Sequence, residues 1–168
     1  DAEFLEHTNF DRATFKRMSY FMTSKFIKEA NFSYSLFSDN LYFKGAHFSD
    51  NVYFLESTFN KEANFKEAVF SHDVRFEGSL FKVFTFFDNI QFKGLADFTG
   101  VIFSIEVIFT SSLFEGKASF VGMNVNGKID FYGSIFNKEF DSNLATYSNL
   151  TNFSNVSFKD DMNIIGTS

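Results

Sequence analysis

Phenylalanine recurs along this chain at gaps that alternate between five and six residues. From Phe10 to Phe120 every site of this grid carries Phe, so the full period is eleven residues. Positions about 5.5 residues apart would fall on opposite sides of a helix, and gaps of mixed parity exclude one long strand. The grid therefore predicts a solenoid of short parallel strands with a corner after each Phe.

A second column of small or β-branched residues stands two positions before the Phe sites, as at Ala30, Ala63 and Ala96. Residues two apart on an extended strand point to the same side. Both columns should therefore face inward, and the residue between them should face solvent. Glycines fall in the polar segments where a corner needs permissive backbone angles, at positions 45, 78, 100, 122 and 133.

Charge pairing decides whether one coil contains two or four of these units. Residues one coil apart are close neighbours, so opposite charges stabilise the stack and like charges destabilise it. At a separation of 11 residues the chain has seven opposite and eight like pairs, whereas at 22 it has eleven opposite and two like. Two of the opposite pairs are Glu3–Lys25 and Lys66–Asp88. We therefore expect 22 residues per coil and a square section with four Phe per layer.

This repeating unit resembles the pentapeptide-repeat family, whose pattern is Ala, Asp or Asn, Leu or Phe, and two polar residues. Segments 30–33, 63–66 and 96–99 read Ala-Asn-Phe-Ser, Ala-Asn-Phe-Lys and Ala-Asp-Phe-Thr. The resemblance extends over residues 2–165 and implies a right-handed quadrilateral β-helix. One departure is systematic, because every second unit carries an extra residue. That residue implies two looser or bulged corners per coil.

We expect an all-β fold: one right-handed parallel β-helix domain over residues 1–168, with 7–8 coils and inward Phe columns. The repeat falters at 140–147, where Phe140 takes a small-residue site, Ser142 a Phe site and Tyr147 another Phe site. An irregular coil is expected there rather than an end, because Phe153 and Phe158 resume the grid. The chain begins without a signal peptide, so we expect a processed protein or a piece of a longer one.

One surface feature stands out from the polar exterior. Residues 80–87 read LFKVFTFF and residues 102–109, one coil later, read IFSIEVIF. Their outward positions should form one apolar patch, two coils high, on one side of the rod. We call this set the apolar patch: Leu80, Val83, Phe86, Ile102, Ile105 and Ile108. Contiguous exposed apolar surface of this kind is typical of interaction sites.

The same sequence offers little for catalysis. It has no Cys, and its three His residues fall in three different outward columns. We therefore expect no enzyme activity, cofactor or metal site, although Asp50 and His72 should stack as a surface pair. The net charge of −6 argues against nucleic-acid binding, and no apolar run is long enough to insert in a membrane.

These observations favour a non-enzymatic structural or protein-interaction solenoid. Its partner would be another protein, or a second copy in a homodimer, bound through the apolar patch. The family resemblance implies an alternative, since some members bind type II topoisomerases such as gyrase as acidic DNA mimics. A cytoplasmic location is favoured, because the chain shows no signal peptide, no transmembrane segment and no Cys.

Overall fold

A computed structural model of the chain describes residues 2–168. This part of the chain forms a right-handed parallel β-solenoid of about 7 coils and contains no helix. Consequently none of the described residues forms a helix that could span a membrane. Each coil contributes one two-residue strand to each of four sheets, which we call faces one to four in chain order.

The described strands have the following bounds. Face one contains β1 (Glu3–Phe4), β5 (Lys25–Phe26), β9 (His47–Phe48), β13 (Val69–Phe70), β17 (Gln91–Phe92), β21 (Leu113–Phe114), β25 (Ile135–Phe136) and β29 (Ser157–Phe158). Face two contains β2 (Thr8–Asn9), β6 (Ala30–Asn31), β10 (Val52–Tyr53), β14 (Val74–Arg75), β18 (Ala96–Asp97), β22 (Ala118–Ser119), β26 (Phe140–Asp141) and β30 (Met162–Asn163).

The other two faces have seven strands each. Face three contains β3 (Thr14–Phe15), β7 (Leu36–Phe37), β11 (Thr58–Phe59), β15 (Leu80–Phe81), β19 (Ile102–Phe103), β23 (Asn124–Val125) and β27 (Thr146–Tyr147). Face four contains β4 (Ser19–Tyr20), β8 (Leu41–Tyr42), β12 (Ala63–Asn64), β16 (Thr85–Phe86), β20 (Val107–Ile108), β24 (Ile129–Asp130) and β28 (Thr151–Asn152).

The pairing register confirms the 22-residue coil. Every strand pairs in parallel with the strand one coil away, as when Phe37 pairs with Phe59 and Phe59 with Phe81. The predicted fold class is therefore confirmed, including the inward Phe columns. Phe26, Phe65 and most of the Phe between them are fully shielded from solvent.

The Phe columns fill the interior with rings that stack along the axis and meet edge-on within a layer. Phe54 and Phe76 stack with their centroids 4.8 Å apart and their planes 3° from parallel. Phe76 meets Phe87 at 5.5 Å and 75°. Both geometries are favourable for aromatic pairs and add to the free energy gained by burying the rings.

Two corners of each coil are tight turns, and a backbone hydrogen bond closes most of them. The amide of Ser57, for example, donates to the carbonyl oxygen of Phe54 at 3.3 Å. The residue before the small-column site adopts a left-handed backbone in these turns, which is the geometry of a type II turn. Gly78 adopts this conformation at φ 66°, as the sequence predicted. Glu56 also adopts it, at φ 49°, although it is not a glycine.

Buried serines reinforce these tight corners. The hydroxyl of Ser57 donates to the carbonyl oxygen of Phe32 at 2.8 Å and accepts a hydrogen bond from the amide of Ser35 at 3.4 Å. Ser79 repeats the arrangement one coil on, where its hydroxyl accepts from the amide of Ser57 at 3.0 Å. Serine at these sites therefore contributes hydrogen bonds as well as small size, because its hydroxyl joins neighbouring coils.

The other two corners contain the extra residue, and among the described residues no backbone hydrogen bond closes them; we call them the open corners. They lie between faces one and two and between faces three and four, where three residues separate consecutive strands instead of the four of the tight turns. Strand pairing stays in register on both sides of the open corners. The extra residue is therefore accommodated locally and points its side chain away from the core, as at half-exposed Phe84.

The strand ladders continue through the predicted irregular segment. Phe140 pairs with Met162 and Tyr147 pairs with Val125, both in the common register. This coil differs from the others in its side chains. The ring of Phe140 points inward at a small-residue site and packs edge-on against Phe136 at 4.9 Å. Its ring occupies space that the small side chain of Ser142 leaves within the layer.

Candidate functional site

The apolar patch covers parts of two adjacent faces. Leu80 pairs with Ile102 on face three, and Phe86 pairs with Ile108 on face four. In each pair both side chains point outward, because the neighbouring strand position faces the core. Ile102 is the most exposed of these four, with 39% of its surface accessible.

The remaining two patch residues, Val83 and Ile105, lie on the open corner that joins these faces. Ile105 is 39% exposed, and Phe84 beside it is 44% exposed. The patch therefore wraps around a corner of the rod and forms a convex ridge. Phe84 belongs to this surface but is not one of the six residues predicted from the sequence. Its place as the extra residue of a six-residue unit marks it as a corner residue, but the sequence pattern does not give the direction of its side chain.

Phe86 is partly covered by a charged neighbour. The Nζ atom of Lys66 lies 4.4 Å from the centroid of the Phe86 ring. Lys66 also forms an ion pair with Asp88 at 3.1 Å. A cation over an aromatic face is attracted by the ring quadrupole, so this contact holds the aliphatic stem of Lys66 along the edge of the patch.

Polar residues border the apolar patch at both ends. Those one coil before it are Thr58, Lys61 and Asn64, and those one coil after it are Asn124, Gly127 and Asp130. Gly127 has a special role among them, because a Cβ atom at this position would lie 2.4 Å from the carbonyl carbon of Ile105. The close approach requires glycine and leaves the side chain of Ile105 uncovered from that direction.

Charged side chains around the solenoid form fewer ion pairs between coils than the sequence predicted. Four of the eleven predicted pairs are made, at 2.7 to 3.8 Å, and they are Glu3–Lys25, Lys66–Asp88, Glu106–Lys128 and Lys117–Glu139. Lys44 is next to Lys66 in the register but forms its ion pair with Glu67 at 3.3 Å. Among the described residues, Lys61 and Lys82 beside the patch form no ion pair.

The histidines form polar contacts but do not converge on one site. The Nδ1 atom of His72 lies 2.9 Å from the carbonyl oxygen of Ser49, and the expected pairing of His72 with Asp50 is not made. His47 contacts the hydroxyl of Ser71 at 3.4 Å. Residues 2–168 contain no group of three or more His, Asp or Glu that could hold a metal ion.

The last coil contains an apolar cavity of about 370 Å³, lined in part by Phe140, Tyr147 and Ile164. The Oη atom of Tyr147 is buried and has no hydrogen-bond partner. Burial raises the pKa of this phenol to about 12, because the ionised form would be poorly solvated. This hydroxyl therefore stays neutral, and its position gives it no evident chemical role.

The comparisons with known proteins agree with this architecture. Residues 43–88 match the family model for pentapeptide repeats in nine copies. No curated protein and no solved structure shows significant similarity to the chain. The matched segment lies on the same four faces and in the same register as the coils on either side of it. Residues 43–88 thus consist of pentapeptide repeats, and this match together with the continuous register supports a pentapeptide-repeat protein.

Proposed function

We propose that this protein is a non-enzymatic interaction scaffold that binds another protein through the apolar patch. The observation that carries the proposal is the patch itself, because exposed and half-buried apolar side chains continue there over two coils and across a corner. Soluble proteins rarely leave several hundred Å² of contiguous apolar surface exposed without a binding role.

The filled interior of the rod supports a scaffold role. Stacked rings fill the axis of the rod from Phe26 to Phe136, and the small-residue column closes the space beside them. Substrates usually bind in concave pockets, whereas a filled solenoid offers its outer faces. The strand register also makes those faces rigid, since each coil is hydrogen-bonded to both neighbours. Such a rod presents a surface of fixed shape to a partner.

The distribution of charge separates this proposal from a DNA mimic. A mimic needs a continuous negative face, whereas the acids here are accompanied by bases, as where Lys128 lies 2.8 Å from Asp130 and 3.8 Å from Glu106. A gyrase supercoiling assay distinguishes the two functions. We expect no inhibition by this protein, and stoichiometric inhibition would favour the mimic.

The proposal is tested by comparing the proteins that are crosslinked and co-purified with three forms of the chain. These forms are the unmodified protein, Phe86→Asp/Ile108→Asp, and a control with Gln91→Asp/Lys93→Gln on face one. Both double variants lower the net charge by the same amount. We expect a specific protein to be captured by the unmodified protein and the control, and lost with the patch variant. Equal capture by all three would contradict the proposal.

A further inference from the structure

We infer that the apolar patch binds a second copy of this chain, with the two rods antiparallel about a two-fold axis perpendicular to them. This inference rests on the proposed function and names the partner. The axis would pass between the two apolar coils. It would therefore place Val83 of one copy against Ile105 of the other at the ridge. Leu80 would face Ile102 on one side of this contact, and Phe86 would face Ile108 on the other.

Charge complementarity outside the patch supports this arrangement. An antiparallel two-fold axis places each residue of the coil before the patch opposite a residue of the second copy. That residue lies in the same column, in the coil after the patch. Glu62 then faces Lys128 of the second copy, and Asn64 faces Asp130, so that both pairs are attractive. Lys61 faces Gly127, which carries no side chain that could repel it. No like charges meet in these three columns, and each favourable pair occurs twice because the contact is isologous.

A parallel dimer lacks this complementarity. An axis running along the rods would place every coil opposite itself, and Lys61 on the corner would face Lys61 of the second copy. Lys61 has no ion-pair partner among the described residues, so this repulsion would be uncompensated. The charges next to the patch therefore favour the antiparallel dimer over the parallel one.

The exposed area predicts a weak association. Phe84, Ile102 and Ile105 each expose about two fifths of their surface, and the other patch residues expose less. Together they offer a few hundred Å² on each copy, which lies at the low end for specific interfaces. The ridge is also convex, so two copies meet along a strip. We therefore expect a dimer that dissociates on dilution in the micromolar range.

Sedimentation equilibrium over roughly 1 µM to 1 mM tests the association. We expect the unmodified protein and Gln91→Asp/Lys93→Gln to pass from monomer to dimer with rising concentration. Phe86→Asp/Ile108→Asp should stay monomeric, with an unchanged circular dichroism spectrum because both side chains point outward. A monomer throughout for the unmodified protein would overturn the inference, as would a patch variant that dimerises equally well.

Cysteine crosslinking tests the orientation, and the absence of native Cys removes any background. Glu62→Cys and Lys128→Cys are prepared separately and oxidised alone or as an equimolar mixture. In the antiparallel dimer position 62 of one chain meets position 128 of the other, so disulfide-linked dimers should form efficiently only in the mixture. Two copies of Glu62→Cys would hold their thiols about three coils, or roughly 14 Å, apart. Rapid crosslinking of either variant alone would refute the antiparallel arrangement.

These tests separate the inference from the proposed function. If the unmodified protein is monomeric but the patch variant still loses its captured protein, the second copy is refuted and the docking surface stands. If the unmodified protein dimerises and both double variants dimerise equally, the association uses another face and the inference is refuted.

Discussion

Truncating one central Phe should destabilise the solenoid far more than truncating an outward residue of the same coil. Phe65 is completely buried and stacks on Phe43 at 5.4 Å and on Phe87 at 5.0 Å. It also meets Phe54 and Phe76 edge-on at 5.6 and 5.5 Å. Removing a buried ring from a core costs about 3–5 kcal/mol. A fifth ring contact joins Phe65 edge-on to Phe59 at 6.4 Å. The loss of these five favourable contacts places Phe65→Ala near the upper end, at about 5 kcal/mol.

The matched control is Thr58→Ala, because Thr58 lies on an outward position of face three in the same coil. Its cost should stay under about 0.5 kcal/mol, as for most surface substitutions. Urea denaturation followed by circular dichroism measures both free energies of unfolding. Equal losses for the two variants would refute the assignment of inward and outward columns. A biphasic transition for Phe65→Ala alone would agree with it, since a solenoid can lose cooperativity at a weakened coil.

Three further substitutions test separate features. Tyr147→Phe should stabilise the protein by about 1 kcal/mol, because it removes a buried hydroxyl without a partner, and a lower melting temperature would contradict this. Glu56→Gly should add about 0.5–1 kcal/mol to the free energy of unfolding, because glycine adopts the left-handed backbone without strain. Urea denaturation measures this free energy, and a decrease would contradict the prediction. Burial and the nearby Asp97 raise the pKa of Glu77, so ionised Glu77 destabilises the fold above that pKa. Glu77→Gln should therefore raise the melting temperature at pH 7, with a gain that shrinks as the pH falls toward the ordinary carboxyl range; a pH-independent gain would contradict this.

Most of the fold was predictable from the sequence because its determinants repeat. The regular spacing of Phe predicts the eleven-residue repeat, and opposite charges 22 residues apart predict the length of one coil. The pairing of Phe59 with Phe81 confirms this 22-residue register. The left-handed corners were predictable only where Gly marks them. Thr23 and Tyr34 adopt the same backbone at φ 54° and 57°, because the hydrogen bonds of neighbouring coils impose it against their own preference.

The ion pairs and the full extent of the candidate site were less predictable. The strand register places charged residues near each other, but a long side chain can reach several oppositely charged partners at similar distances. Lys44 thus pairs with Glu67 although strict register assigns it Lys66. The convex shape of the apolar patch depends on the open corner between faces three and four. Sequence periodicity locates the extra residue in that corner but does not give the direction of its side chain, so the exposure of Phe84 is not predictable from it.

The central claim is that two copies of this solenoid associate through the apolar patch, and a single tryptophan tests it most directly. The chain contains no Trp, so Phe86→Trp and Gln91→Trp each create one fluorescent reporter, the first on the patch and the second on face one. As protein concentration rises, we expect the emission of Phe86→Trp to shift to shorter wavelength because the ring becomes buried, while that of Gln91→Trp stays constant. Constant emission from Phe86→Trp, or the same shift in both, would contradict the claim.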